Sequence, residues 1–392
     1  MRDASGGAPP TVGIVAGEAS GDALAATLIG AMRARDPRVR FVGIAGPKMQ
    51  AQGCEAWVPL EKLSVAGFVE VLGHLPELIR VRRQVARRFR AERIDLFIGV
   101  DAPDFNLGLE RWLHGKGIRT VHFVSPSVWA WRSERVAKIR AAVNRILVLF
   151  PFEQALYEDA QVPVTFVGHP LAANAADAGT RRATREALKI RAATPLFALL
   201  PGSRLAEIDR HAPLVLGAAA RIHEARPDAQ FLVPLVSRQT RDAFATWQHR
   251  GGYDELPLTV LYGHASDALR AADVALVASG TATLEAAFAR CPHVIFYQLA
   301  PLTARIVARK FLLPYVGLPN ILAGRFVVPE LLQDDATVVN LAQAALNLFD
   351  DTVTRHRLEA LFAGMSEAMA VDTGALAADA VMSELRAAGV AC

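Results

Sequence analysis

The chain has 392 residues, more than one ordinary hydrophobic core accommodates, so two domains are expected. Hydrophobic residues make up 52% and charged residues 21%, which excludes a disordered or collagenous chain. The net charge of +4 is too small over this length to require nucleic acid as a partner. Three cysteines, Cys54, Cys291 and Cys392, stand far apart with no C-x-x-C spacing. That excludes a disulfide framework, points away from a zinc site and fits a reducing cytosol. The opening MRDASGGAPP is polar and lacks the apolar stretch of a signal peptide. No uncharged run of about 18 apolar residues occurs, so no membrane span is expected, although a peripheral membrane role stays open.

Short β-branched runs alternate with longer helical patterns. Expected strands in the first half cover 11–16, 39–44, 95–100, 120–124, 145–149 and 164–167. Those in the second half cover 196–200, 230–234, 258–262, 274–278 and 293–296. Continuous apolar runs separated by helices argue for parallel strands covered on both faces. The pattern occurs twice, so two doubly wound α/β domains in tandem are expected. The boundary is placed at Gly168-His169-Pro170, giving domains 1–168 and 169–350. The last stretch, 351–392, reads as two helices with no following strand, able to pack back on the first domain.

In open α/β sheets ligands sit at the carboxyl ends of strands, so the strand-to-helix turns are where chemistry is sought. The first turn is Gly17-Glu18-Ala19-Ser20-Gly21-Asp22. It is neither a P-loop nor G-x-G-x-x-G, and a helix capped by Ser20 or Asp22 is its bland reading. The second places Asp101 at a strand's carboxyl end, where either a catalytic carboxylate or a cap fits; Asp104 reads as a cap. The third contains Trp129 and Trp131, which cannot both face one helical stripe. The fourth is Pro201-Gly202-Ser203-Arg204. Small residues there let backbone approach a phosphate, and Arg204 adds charge at a helix start. The fifth is Ser279-Gly280-Thr281-Ala282-Thr283-Leu284-Glu285. Thr281 and Glu285 are one turn apart, so a phosphate on the first N–H groups would leave Glu285 to accept from two ribose hydroxyls. No D-x-D occurs, and no metal is expected.

One further segment, 64–93, stands out. Val65, Phe68, Val69, Leu72 and Leu75 form an apolar stripe, and Arg80, Arg83, Arg87 and Arg90 line one face of the following helix. An apolar helix beside a basic amphipathic one reads as a membrane-surface element, against the bland alternative of ordinary packing with a solvated Arg face.

The motifs GEASGD, GIAGPKM, DAPDFN, SPSVWAWR, FVGHPL, LLPGSR, SGTATLE and LPNILAGR occur in this order from about Val12 to Gln333. Together they resemble the lipid-A-disaccharide synthases, bacterial glycosyltransferases of GT-B architecture with two Rossmann-like domains facing a cleft. The resemblance implies transfer from UDP-2,3-diacylglucosamine to 2,3-diacylglucosamine 1-phosphate (lipid X). The products would be the β-1′,6-linked disaccharide phosphate and UDP, formed with inversion, without metal and without a cofactor. It implies an acceptor-binding first domain and a UDP-binding second domain.

On that reading Asp101 is the first choice of general base and Glu18 the second. Gly202, Ser203, Arg204, Ser279, Gly280, Thr281 and Glu285 hold the nucleotide. Gln298 and Asn320 contact donor sugar or phosphate. Val65, Phe68 and Leu72, with Arg80, Arg83 and Arg87, meet acyl chains and an anionic inner-membrane surface from the cytoplasmic side. A homo-oligomer is left open. Three other readings compete: a UDP-N-acetylglucosamine 2-epimerase, which needs no apolar and basic segment; a GT-B enzyme with another lipid-linked acceptor; and a nucleic-acid binder, for which this chain lacks stacking aromatics among those arginines.

Overall fold

The structure, a computed structural model, describes residues 9–63, 68–131, 135–176, 179–300 and 313–390, with the side chains of residues 68–75, 130–131, 174 and 176 outside the description. The chain divides into two compact units. One holds the residues up to Pro170 together with those from Val371 onward; the other runs from Leu171 to Ala370.

The first unit contains a seven-stranded parallel sheet of β1 (Thr11–Ala16), β2 (Arg40–Ala45), β3 (Cys54–Pro59), β4 (Leu96–Val100), β5 (Arg119–Phe123), β6 (Arg145–Val148) and β7 (Val164–Phe166). Its order is β3-β2-β1-β4-β5-β6-β7, so the direction of winding reverses between β1 and β4. The central strands read as unbroken apolar runs because helices cover both faces. Against one face lie the helices Ala19–Arg35 and Thr373–Ala387, with Leu28, Ile29 and Met32 packed in one cluster with Ala377, Val381 and Leu385. On the other lie Phe68–Ala91 and Pro103–His114, with Val85, Phe89, Leu109 and Leu113 packed against Val15, Val42 and Phe97. Burying each of these large side chains contributes roughly 1.5–3 kcal/mol.

The second unit repeats the plan with six strands: β8 (Leu196–Leu200), β9 (Gln230–Leu235), β10 (Leu258–Tyr262), β11 (Val274–Ala278), β12 (His293–Tyr297) and β13 (Glu330–Leu332). The order is β10-β9-β8-β11-β12-β13, and the reversal falls between β8 and β11. Helices Leu205–Ala225 and Val338–Asp350 bury Ile208, Val215, Leu216, Leu341 and Ala345 in one core.

Two strands were not expected from the sequence. β3 mixes Glu55 and Pro59 into a six-residue edge strand, and β13 has only three residues at the opposite kind of edge. Neither needs an apolar run, because an edge strand is not buried along its whole length. No helix among the described residues is long and apolar enough to cross a membrane. Val65 lies outside the described residues, as do the side chains of Phe68 and Leu72, so the expected apolar stripe is not described.

The final helix is fastened by charge as well as by packing. Glu384, only 3% exposed, accepts from the guanidinium groups of both Arg119 on β5 and Arg145 on β6. Removing one partner of a buried ion pair strands the other charges. The two arginines are partly solvated, so the cost is moderated. Glu384→Ala should therefore destabilise the protein by about 1–3 kcal/mol in denaturant melting. An unchanged unfolding midpoint would show that apolar contact alone holds this helix.

Candidate active site

In each sheet the polar turns cluster at the strand-order reversal. At the first reversal, β1 runs into Gly17-Glu18 and β4 into Asp101-Ala102. The two turns touch: a Cβ added at Gly17 would lie 2.3 Å from that of Ala102. Asp101 and Ala102 both have positive φ, 52° and 44°, and Val124, which follows β5, has φ 80°. Three adjacent non-glycine residues in left-handed backbone store strain, which persists only where the surroundings over-determine the conformation. Here they do so through hydrogen bonds. The Asp101 N–H donates to Phe123 O at 2.8 Å, and Asn106 Nδ2 donates to Asp101 O at 2.7 Å. The Asp101 carboxylate itself is half-buried and accepts no hydrogen bond among the described residues. The following helix begins at Pro103 with Ala102 at its cap position and no side-chain cap, so Asp101 is not a helix cap. Asp104, expected to cap, is instead exposed and ion-paired with Arg135.

Glu18 is exposed at the cap position of Ala19–Arg35 and makes no capping hydrogen bond. The expectation that Ser20 or Asp22 caps this helix is overturned. Asp22 is buried inside it and turns toward the next loop, accepting from the N–H groups of Gly46, Lys48 and Met49 at 3.0–3.1 Å. One carboxylate thus joins GEASGD to GIAGPKM.

Beyond Val124 a second cluster forms. Trp129 Nε1 donates to Glu153 Oε1 at 3.0 Å, and the Phe150 N–H donates to Glu153 Oε2 at 3.1 Å. Phe152 stacks on Phe150 and meets Trp129 edge-on. Burial pushes the Glu153 carboxyl up to about 7. The side chain of Trp131 lies outside the described residues.

At the second reversal, Gly202 has φ 127°, and an added Cβ would come within 2.6 Å of Glu207. Glu207 was not foreseen. Its Oε2 accepts from the N–H groups of Ser203 and Arg204 at 2.8 and 3.1 Å, and its Oε1 accepts from the Tyr297 hydroxyl at 2.9 Å. The two N–H groups expected to meet a phosphate are therefore occupied internally. The Arg204 side chain is 62% exposed and lies 3.8 Å from Glu207 Oε1. His211, one turn beyond Glu207, is fully buried and held neutral by burial. Its Nδ1–H donates to Pro201 O at 2.8 Å while Nε2 accepts from the Gln298 N–H at 3.2 Å, tying the ends of β8 and β12 together.

The fifth turn is different in kind. Gly280 has φ 152° with open space where a side chain would project, and no side chain caps the helix Thr281–Phe288. Ser279 is half-buried, and Gly280 and Thr281 are exposed. Glu285, one turn in, is half-buried, has no partner among the described residues, and is pushed up by desolvation alone.

Two expected donor contacts, Asn320 and Gln298, carry internal hydrogen bonds. Asn320 is completely buried and spends all four hydrogen bonds inside the loop: Oδ1 accepts from Val327 and Val328, and Nδ2 donates to Val328 O and Glu330. It shapes the loop. Gln298 likewise commits both Nε2 hydrogens to the carbonyls of Gln333 and Ala336. On the outer face of Phe68–Ala91, Arg80, Arg83 and Arg87 are exposed along one surface groove of about 680 Å³.

The missed residues had a faint signal. Glu207 and His211 are i and i+4 on the helix after the fourth turn, and Asn106 and Glu110 are i and i+4 after the second. Polar pairs on one helical stripe near its start point back at the turn.

Solved structures share this architecture over nearly the whole chain. A kitacinnamycin glycotransferase aligns with TM-score 0.64 at 18% identity, covering 96% of this chain and 99% of its own. MurG from Acinetobacter baumannii aligns at 0.56 and 15%, covering 96% and 100%, and a UDP-GlcNAc 2-epimerase from Neisseria meningitidis at 0.60 and 9%, covering 96% and 99%. Two parallel sheets, each with polar turns at its reversal, define a GT-B glycosyltransferase fold. The sequence profile described as lipid-A-disaccharide synthetase matches residues 12–381. The lipid-A-disaccharide synthase of Chromobacterium violaceum is 52% identical over 375 residues, 96% of this chain and 97% of its own. That of Pseudomonas aeruginosa is 47% identical over 371 residues, 95% and 97%. The chain belongs to the lipid-A-disaccharide synthase family.

The raised Glu153 carboxyl generates a pH test. The folded state holds its proton up to about 7, whereas the unfolded chain releases it near 4.5. The folded state therefore binds more protons between these values, and stability declines as pH rises through that window. Glu153→Gln removes the titration. Its stability relative to the parent protein should improve by up to about 3 kcal/mol between pH 4.5 and 7.5. A pH-independent difference in denaturant melting would contradict this.

Proposed function

We propose that the chain transfers a diacylglucosaminyl group from UDP to the 6-hydroxyl of 2,3-diacylglucosamine 1-phosphate, giving the β-1′,6-linked disaccharide phosphate and UDP. The observation that carries this reading is the partition of free carboxylates. Asp101 at the first reversal and Glu285 at the second are both half-buried and their carboxylates accept no hydrogen bond among the described residues, in a chain of this family. The first unit takes the acceptor and the second the nucleotide.

The reaction is a single in-line displacement. The acceptor oxygen forms a bond to the anomeric carbon as the bond from that carbon to the diphosphate oxygen breaks, so the configuration inverts. The electron pair leaves with UDP, and the hydroxyl proton passes to Asp101, with Glu18 as the second candidate. Arg204 and the uncapped N–H groups at Gly280 and Thr281 offset the charge gathering on the diphosphate without a metal. Glu285 accepts from the ribose hydroxyls. Gly202 and Ser203 give the diphosphate room beside Arg204, and Ser279 completes the turn. The protein works from the cytoplasm at the inner-membrane surface, with Arg80, Arg83 and Arg87 facing anionic headgroups and the segment carrying Val65, Phe68 and Leu72 meeting acyl chains.

The deciding experiment incubates purified protein with both acylated substrates in excess EDTA and seeks UDP and the disaccharide phosphate by mass. Product is expected; activity that returns only with magnesium would overturn the metal-free account. Two variants then separate binding from chemistry. A hydrogen bond to a charged group is worth roughly 1.5–3 kcal/mol, so Glu285→Gln should weaken UDP by about 10- to 150-fold in calorimetric titration. Asp101→Asn should lower kcat by about 10²- to 10⁴-fold and leave UDP affinity unchanged.

Membrane attachment has its own measurement. Each basic side chain near an anionic surface contributes about 1 kcal/mol. Joint replacement of Arg80, Arg83 and Arg87 by Gln should weaken sedimentation with phosphatidylglycerol vesicles by about 100-fold. Undiminished binding would assign the Arg face to plain solvation.

A further inference from the structure

The fourth and fifth turns of the second unit are framed by a double clamp that the reaction as drawn does not use. Glu207 and His211 stand one helical turn apart on Leu205–Ala225, and each reaches in two directions. Glu207 Oε2 accepts from the Ser203 and Arg204 N–H groups, while Oε1 accepts from the Tyr297 hydroxyl. The His211 ring meets Pro201 O at one nitrogen and the Gln298 N–H at the other. One end of each clamp therefore grips the turn 201–204, and the other grips consecutive residues where β12 ends. β8 and β12 are not neighbours: β11 lies between them, and its end carries Ser279 and Gly280. The Ser279 N–H donates to Phe296 O at 2.9 Å, so the fifth turn is bound to the same strand end.

Space at the turn is reserved for Glu207. A Cβ added at Gly202 would lie 2.6 Å from both Glu207 Cβ and Glu207 Oε2. The Glu207 side chain is only 15% exposed, and its contacts run directly to Arg204: the backbone N–H at 3.1 Å and Nη1 at 3.8 Å. A long exposed arginine samples many rotamers and loses that freedom on gripping an anion. Fixing its backbone and one side of its guanidinium in advance removes part of that loss.

Resting on the assignment of Arg204 to the leaving diphosphate, we propose that Glu207, anchored by Tyr297, is a positioning residue that sets where the Arg204 guanidinium meets the departing charge. A carboxylate and a diphosphate repel each other, so Glu207 serves the site through Arg204. Negative charge grows on the diphosphate as the bond to the anomeric carbon breaks. A donor held in place beforehand therefore favours the transition state more than the bound donor sugar. Its placement shows in kcat more than in affinity. The role is one of geometry: a carboxamide in the same place keeps an oxygen for the two N–H groups and an N–H for the Tyr297 oxygen.

Steady-state rates and calorimetric titration of UDP test this. Glu207→Ala should lower kcat by about 100-fold, the cost of misplacing a reacting contact by about 1 Å, while UDP weakens by about tenfold or less and acceptor KM stays within about twofold. Glu207→Gln should restore kcat to within about fivefold of the parent, because its hydrogen bonds survive. Should Glu207→Ala fail to fold, Tyr297→Phe deletes only the anchoring hydroxyl and should cost about tenfold in kcat with the same split. A purely structural role is separated by repeating each change on Arg204→Ala, which alone should lose at least as much rate as Glu207→Ala. Because Glu207 acts through Arg204, either change should then alter kcat by less than about twofold. If the full loss recurs on that background, if the Gln variant is as slow as the Ala variant, or if the folded Glu207→Ala and Tyr297→Phe proteins keep the parent kcat, the proposal falls alone. If Arg204→Ala itself keeps the parent kcat and UDP affinity, the assignment of Arg204 falls and takes the proposal with it.

Discussion

The reversal of winding in each parallel sheet is the constraint on which the rest depends. On either side of β1 and β4, and again of β8 and β11, the connections leave toward opposite ends of the sheet. The strand ends between them are left uncovered by any crossover helix. Backbone N–H and C=O groups there must be satisfied by short-range devices or by a ligand. The two units even anchor the reversal alike. Asp95 just before β4 accepts from the first N–H of β1, and Asp273 just before β11 accepts from the first N–H of β8. Each bond fixes the register of the two strands whose far ends carry the functional turns.

What the sequence made legible follows from this geometry. Central strands are buried on both faces, so β1, β4, β8 and β11 announce themselves as apolar runs, and the turn after each could be located to a residue or two. Edge strands carry no such requirement, which is why β3 and β13 passed unnoticed. Side-chain roles were harder wherever the partner lies far along the chain. Asp22 looked like a cap because Asp near a helix start ordinarily is one, yet its partners at Gly46, Lys48 and Met49 are more than twenty residues away. Asn320 looked like a ligand contact because it sits in a loop. Its burial and its four internal bonds depend on Glu330 and on the backbone of Val327 and Val328, a fold that no local pattern encodes.

Strain marks the first site more sharply than any motif does. Asp101, Ala102 and Val124 adopt backbone that costs on the order of 1–3 kcal/mol each for a residue with a side chain. Gly280, after β11, uses glycine at the strand end that corresponds to Asp101 after β4 and avoids that cost. The first unit thus retains side chains where the second dispenses with them. That difference fits a division in which one turn must present a carboxylate while the other must let backbone come close to a phosphate.

The same chain uses carboxylates in two opposite ways, and the contrast separates scaffold from site. Asp22, Glu207 and Glu330 each accept from backbone N–H groups of a turn, standing where an anion would otherwise bind. Such an internal anion fixes the loop and offsets the positive end of a helix. Asp101 and Glu285 do neither. Both are partly desolvated and accept no hydrogen bond among the described residues, a state that costs free energy unless something else completes it. An uncompensated carboxylate at a strand-order reversal is therefore not a defect of packing. It supports the proposed reading, in which a hydroxyl supplies the hydrogen bonds that the protein leaves unmade.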